Sequence, residues 1–169
     1  MPIPDFAMLS GNYPDYWKYP LPESVKNLIG GEAKDRDITN TCTIRMSHAM
    51  NGSGIIIPRV WASITNRKGA NGKYYIIRVS KFGAWMESRF GKPDIDVRKK
   101  PNVGFDRKQI NGMQGVIAFE IGFADATGHF DLWYRDKFSH ELTAGNDYFA
   151  LASRISLWTT GSREITADA

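Results

Sequence analysis

Apolar residues follow one rhythm in the first half of the chain and another in the second. Up to about residue 91 they recur mostly at helical spacing; from about residue 114 they form strand-like runs. Pro22 to Gly31 reads as a short helix: Pro22 suits a first turn, Val25, Leu28 and Ile29 form a stripe, and Gly30–Gly31 end it. A second helix is predicted from an Asn40 cap to Gly52, with Cys42, Met46, Ala49 and Met50 on one face. Lys73 to Val79, rich in aromatic and β-branched residues, reads as a strand. Ser80 to Gly91 repeats Phe82, Trp85, Met86 and Phe90 at helical spacing and is the third helix.

Strands follow. Gln114 to Phe123 is a nearly continuous apolar run, which suits a central position in a sheet. Gly128 to Tyr134 is a second strand, and Lys137 to Leu142 is expected to pair back on it across a turn at Arg135–Asp136. Ser153 to Thr160 closes the set. Helices first and mainly antiparallel strands afterwards predict an α+β fold, with the helices on one side of the sheet. No repeat or low-complexity linker interrupts the 169 residues, so a single domain over 1–169 is expected.

Composition narrows the picture only a little. A hydrophobic fraction of 42% supports a sizeable core, and no run reaches the ~18 apolar residues of a membrane span. The N-terminus lacks a basic lead followed by an apolar run, so no secretory signal peptide is expected. A net charge of +4 suits an acidic partner or an anionic polymer. Its tightest basic run, Val97 to Pro101, reads as a solvated loop, and no nucleic-acid motif accompanies it. The N-terminal aromatics Tyr13, Tyr16, Trp17 and Tyr19 are read as a lid packed on the core.

A single cysteine rules out an internal disulfide and a cysteine-built zinc cage. Cys42 stands in the first turn of its predicted helix, where the positive end of the helix dipole favours a thiolate. Such a thiol needs a base. His48 lies on the same helix off the apolar stripe and reads as a surface residue. His129 opens a strand after Gly128 and shares a face with Asp131 and Trp133; the Phe130 face looks like core, so the His129 face should border a groove. Spacing alone leaves two readings open: a Cys–His dyad, or a buried cysteine and a turn histidine unrelated to each other.

The stretches "NTCTIRMSHAMNGSG" with Ile57–Pro58, "YYIIRVSKF", "FGKPD" and "GMQGVIAFEIGFADATGHFDLW" resemble the fourth family of type VI secretion amidase effectors. These belong to the NlpC-like branch of the papain-like cysteine peptidases. The likeness runs from about Leu28 to Trp133, and its Cys- and His-bearing motifs are the specific ones. It implies the papain-like, NlpC-like form of the α+β fold, with the catalytic helix packed on an antiparallel sheet. It also implies an antibacterial toxin that cuts the amide between γ-D-glutamate and meso-diaminopimelate in peptidoglycan stems. In that reading Cys42 is the nucleophile, His129 the general base, and the Cys42 amide an oxyanion donor, with no metal or cofactor. A toxin of this kind is made in the cytoplasm, delivered by the type VI apparatus into another bacterium's periplasm, and held in check by an immunity protein that occludes its groove.

The third catalytic residue is where this chain departs from the family. An Asp is common about eleven residues after the His; here that place holds His140, followed by Glu141. His140 on the returning strand is the expected orienter of His129, with Glu141 and Asp131 as alternatives. Asp131 lies two residues along the strand from His129, a separation of ~7 Å. A papain-like acyltransferase or peptidase with another substrate, or a non-catalytic binding module, are the competing functions.

Overall fold

The computed structural model describes residues 2–100, 103–122, 127–139 and 147–160. Helices dominate the first half: α1 (Phe6–Asn12), α2 (Pro22–Ile29), α3 (Cys42–Gly52) and α4 (Val79–Phe90). Between α3 and α4 lie two small antiparallel pairs, β1 (Val60–Trp61) with β2 (Ile64–Thr65) and β3 (Arg67–Lys68) with β4 (Tyr74–Tyr75). The second half supplies the main sheet: β5 (Ile95–Arg98), β6 (Gln114–Glu120), β7 (Gly128–Tyr134), β8 (Lys137–Phe138) and β9 (Arg154–Thr159), with the short α5 (Tyr148–Leu151) before β9. Its order is β5-β9-β6-β7-β8, and every neighbouring pair is antiparallel. The expected α+β architecture is the one observed.

The uninterrupted apolar run of β6 has a simple cause: both faces of this central strand are covered. Val116 and Ala118 join a core with Met46 and Met50 of α3, Phe82, Trp85 and Met86 of α4, and Phe130 and Leu132 of β7. Ile117 and Phe119 point the other way, into a second core with Trp133, Phe138, Tyr148, Phe149, Ile155 and Leu157. Each fully buried side chain of this size contributes ~1.5–3 kcal/mol. The Phe82 and Phe130 rings meet edge-on at 4.9 Å and tie α4 to the sheet. No helix among the described residues is long and apolar enough to cross a membrane.

Four local expectations change. The basic run at Val97 is not a solvated loop: β5 begins at Ile95, alternates in burial, and pairs Val97 with Ile155. Only four residues long and at the edge of the sheet, it offers too short a pattern to stand out. α1 escaped notice because it is seven residues long and buries only Leu9. The strand read over Lys73 to Val79 is confined to Tyr74–Tyr75, and α4 starts at Val79. Finally, the β7 face carrying His129, Asp131 and Trp133 is covered, not open, because the second core packs on it.

Candidate active site

α3 presents the thiol. Thr41 takes the cap position in place of Asn40, but its side-chain oxygen does not cap the helix; Oγ1 accepts from Arg45 Nε at 3.0 Å. Asn40 stands one residue earlier, and its Oδ1 accepts the Cys42 N–H at 3.0 Å. The Cys42 amide, expected as an open oxyanion donor, is therefore engaged by a side chain in this structure. The stripe Cys42, Met46, Ala49, Met50 is buried as its spacing predicts, and the opposite face is buried too, with Ile44 packed against Val25, Ile29 and Tyr75. A helix so enclosed holds its first turn in one place.

β7 presents the base. The Cys42 thiol and the His129 imidazole are both buried, and the thiol is one of the groups that act on the ring. The imidazole sits where the two cores meet: Tyr148 lies 4.9 Å away between ring centroids, Tyr16 6.0 Å, and Phe119 and Phe138 both 6.4 Å. Its Nε2 meets Asp131 Oδ2 at 2.9 Å. The long spacing along the strand is bridged by the side chains, which share a face and lean along it. Asp131 is fully buried, and its Oδ1 accepts from Tyr13 Oη at 3.1 Å and from the Leu132 N–H at 2.8 Å. His140 and Glu141 lie outside the described residues.

Electrostatics follow from these contacts. Burial by itself pulls His129 down, but the hydrogen bonds and negative charge of Asp131 and Cys42 outweigh it and raise the imidazole to about 9. Burial, then the Asp131 carboxylate, hold Tyr13 well above its ordinary value, so its hydroxyl stays protonated and donates.

The N-terminal segment closes over this pair, as the lid reading anticipates for Tyr13 and Tyr16; Trp17 instead stands 78% exposed. Its fastening is Arg45, one turn beyond the thiol and wholly buried. Arg45 Nη1 donates to the Pro14 carbonyl at 2.8 Å, and its guanidinium lies 3.7 Å from the centre of the Tyr16 ring. Sequence reading passed over Arg45, and it placed Tyr13 in the lid without its bond to Asp131. The one available signal was that Arg45 is the single Lys, Arg, Asp or Glu in the eleven residues of α3. His48 is half-buried and not a surface residue: its Nδ1 bonds Tyr75 Oη at 3.0 Å, and burial, then Lys73, lower its pKa.

Two cavities flank the dyad without touching Cys42 or His129. One of about 470 Å³ lies between α4 and the sheet, lined by Gly83, Glu87, Glu120, Phe130 and Arg154 among others. Another of about 380 Å³ is lined by Asp37, Asn40, Arg67 and Arg78. Val79, Ser80 and Thr127 belong to both, so the two form one groove that passes Asn40 and Thr127, each two residues ahead of a dyad member. Among the described residues, no group of three His, Cys, Asp or Glu side chains is placed to hold a metal ion.

Comparison with known proteins gives a consistent result. The family described as "Type VI secretion system (T6SS), amidase effector protein 4" matches residues 38–158. A comparison with curated proteins returned no match. Among solved structures, the chain is similar to the effector Tae4 of Salmonella typhimurium in its effector–immunity complex with Tai4. The TM-score is 0.79 at 26% identity, covering 94% of this chain and 99% of that one. It is also similar to Tae4 of Enterobacter cloacae in complex with Tai4, with a TM-score of 0.78 at 28% identity and the same coverage.

Proposed function

The chain belongs to the type VI secretion system amidase effector 4 family, and from that premise we propose that it is a peptidoglycan DL-endopeptidase acting through Cys42, His129 and Asp131. Its bond is the amide between γ-D-glutamate and meso-diaminopimelate. The observation that carries this reading is the buried His129–Asp131 hydrogen bond beside the buried Cys42 thiol, which acts on the same imidazole.

The steps use that chain in order. His129 takes the proton of Cys42 Sγ, and the raised imidazole pKa keeps it there. The thiolate attacks the γ-carbonyl carbon, forming the C–S bond and an oxyanion. The Cys42 N–H, held by Asn40 Oδ1 at rest, exchanges that partner for the oxyanion. Collapse breaks the C–N bond, and His129 gives its proton to the leaving amine of diaminopimelate. Water, deprotonated by His129, then hydrolyses the thioester and frees the thiol. Throughout, Asp131 fixes the ring's orientation and balances the imidazolium, with Nε2 facing the carboxylate and Nδ1 left for the thiol.

Digestion of purified sacculi and of free tetrapeptide stems, analysed by mass, tests this. The expected products end in D-glutamate on one side and begin with diaminopimelate on the other, and Cys42→Ala makes none. A wild-type protein that cuts neither material sinks the proposal.

The solved relatives are effector–immunity pairs. By analogy, a cognate immunity protein occludes this chain's groove, and the net charge of +4 favours an acidic one. Delivery by the type VI apparatus would place its action in the recipient's periplasm. Toxicity of a periplasm-directed copy, set against a cytoplasmic copy that is harmless, tests that compartment.

A further inference from the structure

The groove beside the dyad carries six charged side chains, and most cancel one another. Arg67 is matched by Asp35 at 3.1 Å and Asp37 at 2.9 Å. Arg154 is matched by both oxygens of Asp96, at 2.7 and 2.8 Å, and by Glu87 at 3.8 Å. Two groups are left over. Arg78, exposed at the start of α4, has no hydrogen bond or ion pair from its side chain among the described residues. Glu120, exposed at the end of β6, likewise has no side-chain hydrogen bond or close ion pair among them, and it lies across the β6–β9 ladder from Arg154, whose guanidinium is already held by Asp96.

These two lie in different halves of the groove. Arg78 lines the half that contains Asn40, and Glu120 the half between α4 and the sheet. Thr127, just before the His129 strand, lines both. A ligand lying along this groove past the dyad therefore meets a cation without an ion pair on one side and an anion without a close ion pair on the other, among the described residues.

We propose that Arg78 and Glu120 set the direction and specificity of the substrate, Arg78 binding a carboxylate on the acyl side of the scissile amide and Glu120 an ammonium on the amine side. This rests on the endopeptidase reading above, whose substrate has that polarity. The D-glutamate that donates the acyl group carries a free α-carboxylate, and diaminopimelate carries a free side-chain amine. A guanidinium suits the first because its fork of donors matches both carboxylate oxygens. The Glu120 carboxylate suits the second as a simple opposite charge.

The test compares three synthetic stem tetrapeptides: the native form, one with the D-glutamate α-carboxylate made a carboxamide, and one with the diaminopimelate side-chain amine acetylated. Wild type is expected to cut the native peptide with a kcat/KM roughly 10- to 100-fold above that of each blocked peptide. In Arg78→Ala the preference for acid over carboxamide disappears while the preference for free over acetylated amine stays. Glu120→Gln shows the reverse, and Arg78→Lys keeps part of the first preference. Each readout is a ratio within one protein, so it does not depend on how much of a variant folds. A wild type that cuts native and blocked peptides alike, or variants that retain both preferences, overturns the inference and leaves the endopeptidase standing. A wild type that cuts none of the three overturns the endopeptidase reading and this inference with it.

Discussion

Asp131 Oδ2 lies 2.9 Å from His129 Nε2, although the two residues are next-but-one neighbours on a single strand. The proposed base and the carboxylate proposed to orient it are thus fixed by one element, and their relation does not depend on how a separate strand docks. Asp131→Asn preserves the shape but replaces the acceptor with a neutral amide. The expected result is a fall in kcat on the order of 10²- to 10⁴-fold. With the carboxylate gone, the His129 titration should also move down from about 9, since against burial, which lowers it, the Asp131 hydrogen bond is the strongest influence raising it. An NMR titration of His129 in both proteins measures this; an unmoved imidazole would mean that another group orients it.

The same titration makes stability depend on pH. The folded value of about 9 lies above the ordinary 6.5, so the stabilising contribution is complete below about pH 6.5 and fades as pH rises through 9. Between those limits it amounts to a loss on the order of 3 kcal/mol. Urea unfolding at pH 6, 7.5 and 9.5 should show it as a falling midpoint. Cys42→Ala removes one of the bonds that raise His129, so its decline should be shallower. Equal slopes in the two proteins would argue that the thiol does not interact with the ring.

Much of this was legible in the sequence because long periodic segments dictate their own structure. α3, α4, β6 and β7 were all anticipated from apolar spacing, and Cys42 and His129 stand at the starts of α3 and β7 as expected. Short elements were not: α1 and β5 hold too few periods, and β5 exists because β9 offers it a partner. His140, the expected orienter, lies outside the described residues, and the bond of Asp131 to His129 was underrated for a different reason. Spacing along a strand gives the distance between Cα atoms, while a hydrogen bond depends on how far two side chains reach and lean. Nothing local to the sequence shows that Tyr13, 118 positions away, completes the carboxylate's shell.

Tyr13 gives that shell a graded test. Tyr13→Phe removes one hydrogen bond to Asp131 and leaves those from His129 and Leu132. A drop in kcat of about 2- to 10-fold is expected, well short of the Asp131→Asn loss. Stability should fall by ~1 kcal/mol, because the Oδ1 acceptor keeps the Leu132 N–H. A kcat equal to wild type would make Tyr13 a fastening of the N-terminal segment alone.

Gly128 is the residue on which the placement of His129 depends most directly. It pairs with Glu120 across the β6–β7 ladder, and a Cβ there would stand 2.2 Å from the Phe119 carbonyl oxygen. That neighbour is backbone in a central strand and cannot swing aside, so in Gly128→Ala the start of β7 has to move away from β6. Because His129 is the next residue and its ring is wedged among Tyr16, Phe119, Phe138 and Tyr148, a shift of the strand carries His129 and Asp131 together and moves the ring away from Cys42 on α3. The expected outcome is a loss of ~1–3 kcal/mol in stability, accompanied by a fall in kcat far larger than that loss can explain. Thermal unfolding and stem-peptide turnover on the same sample separate the two effects. A variant that loses stability but retains full turnover in its folded fraction would show that the dyad tolerates movement of β7, and that its geometry is set by α3 instead.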